Sequence, residues 1–280
     1  GEARIRDRRR LRRSAGRSRR RSPPRKRWPE GRLPDTLPLV MPEPDSDLPD
    51  ELLDALDEID EALEEEPARA LELARSLVEQ HPEEPEALLS LAEALWATED
   101  HAGARRVLEA LVAREPDLAD ARHSLAFVLE EIGDEAGMVA QFLEVHRLDS
   151  REDRELDVDW PAAEEIIAST AADTLASLPS PFRERLAGVP VLLERRPSLD
   201  QVREGVDPRS LGLFDGLSDA EVQNAEAATQ PTRIVLYTAN LVGSFGTDDE
   251  LAEEVEITVL HEVGHFFGLA EEDMERLGLE

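Results

Sequence analysis

Pro82 and Pro116 stand 34 residues apart, each closing a long amphipathic segment, and Ser150 occupies the next step of the series. Aligned on it, Leu88, Leu91, Ala92, Leu95, Ala104, Leu108 and Leu111 form one set, and Leu125, Ala126, Leu129, Met138, Phe142 and Val145 take the corresponding slots of the next. A more degenerate copy spans residues 51–84, with Ala70, Ala74 and Val78 before Pro82. The apolar positions recur at helical intervals. Each unit leaves an apolar edge that only a neighbour covers, so about three units are the minimum for a stable stack. The pattern predicts an all-α repeat array over residues 50–152.

Charge divides the chain ahead of that array. Residues 1–33 hold 15 of the 32 bases and only three acids, so a head of about +12 precedes a remainder of about −44. The overall −32 describes neither part. The head has no apolar periodicity and is not expected to fold alone. Pro34, Pro38, Pro42, Pro44 and Pro49 continue it as a linker, so residues 1–49 read as a disordered basic and then Pro-rich segment. Met41 directly precedes the acidic stretch PEPDSDLPDE, and the residues before it are read as dispensable or foreign to the natural protein. Nucleic acid becomes a partner only if the Arg-rich head is genuine. The chain has no cysteine, which excludes disulfides, thiolate zinc fingers and cysteine nucleophiles. No apolar run approaches the roughly 20 residues of a membrane span, so the expectation is a cytoplasmic protein with no membrane partner.

The 34-residue period resembles that of tetratricopeptide repeats over about 100 residues, with two antiparallel helices per unit. That resemblance implies a concave groove for a protein or peptide partner, and the acidic surface suggests a basic one. His81, His101, His123 and His146 are scattered among helical polar residues and read as surface positions.

A sharper signal lies near the C-terminus, in His261-Glu262-Val263-Gly264-His265. It falls late in a helical apolar pattern from Leu251 to Phe267, with Thr247 and Glu250 spaced as a capping box at its start. On such a helix His261 and His265 project from one face about 6 Å apart, as two ligands of one zinc ion require. Glu262 lies beside them as a candidate general base, where zinc would bring a water within reach of deprotonation near neutral pH. Gly268 can stop the helix in a left-handed conformation and turn the chain back. Three residues on is Glu271, the candidate third ligand, with Glu272 and Asp273 as alternatives. Metzincins use this spacing with His or Asp in the last position, so Glu is a departure. Gly264 within the helix suggests close packing against a neighbouring strand.

The stretches LPSPFRERLAGVPVLLERRPS, LGLFDG, TRIVLYTANL and EVEITVLHEVGHFFGLAEEDMERLG resemble the small bacterial zincin-like, or minimal, metallopeptidases over about 120 residues. The resemblance implies a compact α+β zincin-like domain over residues 157–280. It implies zinc on His261, His265 and an acidic third ligand best matched by Glu271, with Glu262 as base. From the residues themselves, Trp160–Leu175 reads as a helix, and Val189–Leu193, Leu211–Phe214 and Arg233–Tyr237 as strands. Either of the last two strands could receive a peptide as an added strand. Tyr237, the only tyrosine, reads as a packing residue.

The expected protein is thus multidomain, with tetratricopeptide-like repeats followed by a zincin-like domain. Its expected function is zinc-dependent hydrolysis of a peptide or protein substrate, with the repeats recruiting a partner or that substrate. The alternative is a non-catalytic adapter whose zinc site is structural or vestigial.

Overall fold

The computed structural model describes residues 48–155, 158–219, 232–245, 247–270, 273, 274 and 276. The basic head therefore lies outside the described residues, as do Glu271 and Glu272. The chain divides into two compact units, one of residues 46–156 with 197–208, the other including residues 157–196 and 209–280. Among the described residues no helix is long and apolar enough to cross a membrane.

The first unit is built of helix pairs: α1 (Asp50–Glu65) with α2 (Pro67–Gln80), α3 (Pro85–Ala97) with α4 (His101–Arg114), and α5 (Ala119–Glu131) with α6 (Glu135–Glu152). Pro67 and Pro85 open their helices where a missing N–H removes no intrahelical bond. Ala70, Ala74, Ala87, Ala104, Ala121 and Ala126 are all fully buried, so small side chains set how closely the helices approach. Larger apolar residues, among them Leu108, Leu111, Phe142 and Val145, fill the space between layers. Each such Leu or Val contributes about 1.5–3 kcal/mol relative to exposure.

The 34-residue period extends to the turns between paired helices. Asp100 and Asp134 cap α4 and α6, their Oδ1 atoms accepting from the Gly103 and Gly137 N–H groups at 2.8 and 2.9 Å. The preceding helices end with equivalent bonds, Asp100 N–H to the Leu95 carbonyl and Asp134 N–H to the Leu129 carbonyl, both 2.8 Å. Such an ending places one residue in the left-handed region. That residue is Gly133 in one repeat (φ +78°) and Glu99 in the other (φ +63°).

In the second unit α7 (Trp160–Ser177) and the short α8 (Ser180–Leu186) lead into β1 (Val191–Glu194). After β1 comes α9 (Leu199–Arg203), which groups with the repeats. The second unit resumes with β2 (Gly212–Asp215), β3 (Arg233–Tyr237), α10 (Thr238–Ser244) and α11 (Asp248–Phe266). The sheet order is β1-β3-β2, with β1 parallel to β3 and β2 antiparallel to it. β3 carries Ile234, Val235, Leu236 and Tyr237 with no exposed surface, as a strand buried on both faces should. Ile234 and Leu236 share a core with Ala163, Ile167 and Ala171 of α7 and Leu251, Val255, Val259 and Val263 of α11. Helical repeats followed by a small mixed α/β unit are thus the architecture. The strands lie within one or two residues of the apolar runs that suggested them.

Glu99 is exposed and sits where its repeat neighbour has glycine. Glu99→Gly should therefore stabilise the protein by about 0.5–1 kcal/mol and Gly133→Glu destabilise it by about 1 kcal/mol. Urea unfolding followed by helical circular dichroism would measure both.

Candidate metal centre

The site is carried by α11, and the helix is fixed at both ends. Thr247 Oγ1 accepts from the Glu250 N–H at 3.2 Å, and Asp248, Asp249 and Glu250 place negative charge at the N-terminus, where the helix dipole favours it. At the other end Gly268 adopts φ +76°, with the Leu269 N–H bonded to the Gly264 carbonyl at 3.0 Å. The helix therefore stops one residue after its last histidine.

His261 and His265 lie one turn apart, both half-buried, with Nε2 atoms 3.1 Å from each other. Their ring centroids are 4.7 Å apart and nearly perpendicular, closer than the 6 Å suggested by backbone spacing because the rings lean together. Two nitrogens bound to one tetrahedral zinc at about 2.0–2.1 Å would stand roughly 3.3 Å apart. The pair fits that geometry, and imidazole nitrogen is a donor zinc accepts readily.

Glu262 is only 6 % exposed, and its carboxylate lies over β2. A Cβ at Gly212 would stand 2.8 Å from Glu262 Oε1 and 2.8 Å from Thr258 Cγ2. The missing side chain at Gly212 therefore makes the space in which the carboxylate rests. Sequence reading quoted this glycine within LGLFDG without assigning it a role. The signal was there: in a strand, positions 212 and 214 face the same way. Phe214 indeed meets Phe266 of α11, at 6.0 Å between centroids. Phe266, Phe267 and Phe182 continue the row at 4.9 and 5.0 Å, pinning the end of α11 to β2 and α8.

The expected strand contact at Gly264 is replaced by a different one. A Cβ there would lie 2.7 Å from the sulfur of Met274, which has no exposed surface. The glycine thus seats a methionine that returns from beyond the helix end, beneath the segment between the two histidines. Asp273 is occupied locally: its carboxylate accepts from the Ala270 N–H at 3.4 Å and pairs with Arg276. Among the described residues no group of three His, Cys, Asp or Glu converges on one point. Glu271 and Glu272, two of the three candidates for the third position, lie outside those residues.

Of the two strands considered for receiving a peptide, β3 is paired on both sides and has no free edge. β2 is paired only to β3 among the described strands and packs beside α11. Tyr237 is fully buried at the end of β3, in the packing position expected of it.

Zinc uptake and helix packing should respond to different residues. Gly212→Ala should lower stability by about 1–3 kcal/mol by overpacking against Thr258 and Glu262, yet leave zinc uptake unchanged. His265→Ala should abolish uptake. Equilibrium dialysis with metal analysis, alongside urea unfolding, separates the two effects.

Residues 186–279 match the family model of the zincin-like metallopeptidases, and residues 61–126 that of the tetratricopeptide repeat. No curated protein matches the chain. The chain thus joins a segment similar to tetratricopeptide repeats to one similar to zincin-like metallopeptidases.

Proposed function

We propose that this protein is a zinc-dependent peptidase in which His261, His265 and Glu271 hold the metal and Glu262 is the general base. The observation that carries the reading is the convergence of two imidazole nitrogens to 3.1 Å beside a buried glutamate held in place by β2. Zinc, when bound there, would supply a Lewis acid for the scissile carbonyl and lower the pKa of water.

The chain's own residues supply the rest. Glu262 takes the proton from the attacking water on a carboxylate oxygen and passes it to the leaving amine. Its burial against Gly212 limits the rotamers open to it, so the acceptor is positioned before substrate arrives. The side of β2 away from β3, unpaired among the described strands, offers N–H and C=O groups to which an extended peptide adds as a strand. The repeats recruit a protein partner or the substrate, which the acidic composition directs towards basic segments. A cytoplasmic location is part of the same reading and rests on composition.

Glu262→Gln should keep about one zinc per chain and lose hydrolysis of a peptide library by at least ~100-fold. Wild-type activity in that variant would exclude Glu262 as base and favour the adapter reading. Glu271→Ala should weaken zinc binding at least ~10-fold, measured by competition with a chromophoric chelator. Full affinity would move the third ligand to Glu272 or Asp273.

A further inference from the structure

The chain leaves the sheet unit after Arg196 and rejoins it at Arg209, and Pro197–Pro208 groups with the repeats. This excursion is tied at its base. Asn240, 5 % exposed on α10, donates from Nδ2 to the Ser210 carbonyl at 2.6 Å and accepts on Oδ1 from Arg196 Nη1 at 2.5 Å. The Ala239 N–H adds a bond to the Arg195 carbonyl at 2.9 Å. One asparagine thus holds the outgoing and returning strands together.

Within the excursion a capping box between Ser198 and Gln201 starts α9, and Gly205 at φ +97° turns the chain after it. Val202 has no exposed surface, and Gly205 lies close enough to α6 that a Cβ would stand 3.5 Å from Met138 Cε. Two histidines of the array hold its ends. His146 Nε2 donates to the Pro197 carbonyl at 3.0 Å, and His123 Nε2 meets both Asp207 carboxylate oxygens at 2.8 and 3.0 Å. His123 is only 8 % exposed and lies against the rings of Phe127 and Phe142 at 4.8 and 5.9 Å. The surface reading of these histidines is therefore corrected. A polar ring nitrogen in so apolar a setting needs a partner, and Asp207 provides it.

We propose that the α5–α6 face of the repeat array is a docking surface whose occupant is this chain's own segment 197–208, recognised through the Asp207 carboxylate by His123. The site is built for that chemistry: a carboxylate acceptor for one histidine, a carbonyl for the other, and a short helical turn burying Val202 between them. Met138, Phe142 and Val145, which repeat logic leaves for a following unit to cover, lie on the helix that α9 packs against. The segment takes the place of a capping helix, and it comes from between two strands rather than from the end of the array. An outside partner of the repeats accordingly binds another face while the segment is seated.

Hydrogen exchange on the full chain tests this without any assay of hydrolysis, so an inactive peptidase would leave it standing. The amides of Val202, Glu204, Gly205 and Val206 are hydrogen-bonded within the segment and should be protected in the wild type. Asp207→Ala and His123→Ala should each speed their exchange at least ~10-fold, and the double variant should add little to either. Amides of α1–α3, read in the same experiment, should be unchanged. Asp207→Ala alters no repeat residue, so it reports even if His123→Ala unfolds the array. Unaltered exchange at 202–206 in Asp207→Ala, or wild-type exchange there as fast as in an open loop, overturns the proposal.

Discussion

The close approach of α11 to β2 governs the candidate centre. It depends on a position without a side chain: with any Cβ at Gly212, Thr258 and the Glu262 carboxylate would have to move. Antiparallel pairing to β3 sets which strand residue meets the helix, pairing Gly212 with Leu236 and Phe214 with Ile234. A one-residue slip would turn both positions to the opposite face. The aromatic row from Phe214 through Phe266 and Phe267 to Phe182 then fixes the end of the helix, and Gly268 ends it. The position of the Glu262 carboxylate follows from that one packing.

The parts legible in sequence are those written in local spacing. A 34-residue period and an i, i+4 histidine pair need no knowledge of distant residues, and both emerge as helices in the positions indicated. The period held more than was read from it, since the capping aspartates and the left-handed turn residues repeat at the same interval. Contacts between residues far apart in the chain could not be read. Asp207 and His123 are 84 positions apart, and nothing near His123 distinguishes it from a solvated helix residue. Gly264 announced a close contact, but its partner comes from beyond a helix stop whose geometry had to be built first. Period two in β2 would have found Gly212 had it been applied to the site.

The repeat array also holds a segment of the chain that lies, in sequence, between β1 and β2. Asn240 ties the residues that flank the segment, and His123 and His146 bond Asp207 and Pro197 within it. The absence of cysteine sharpens the picture of the centre, because imidazole and carboxylate are then the donors left for zinc. That donor set is typical of zinc sites with an open coordination position.

The account turns on whether one zinc ion sits on the histidine pair with Glu262 off the metal. A crystal of the zinc-loaded protein, measured on both sides of the zinc absorption edge, settles it. One anomalous peak at about 2.0–2.1 Å from the Nε2 atoms of His261 and His265, with a Glu271 oxygen as third ligand and Glu262 not bonded, is the predicted result. No peak at the pair, or a peak ligated by Glu262, would contradict it.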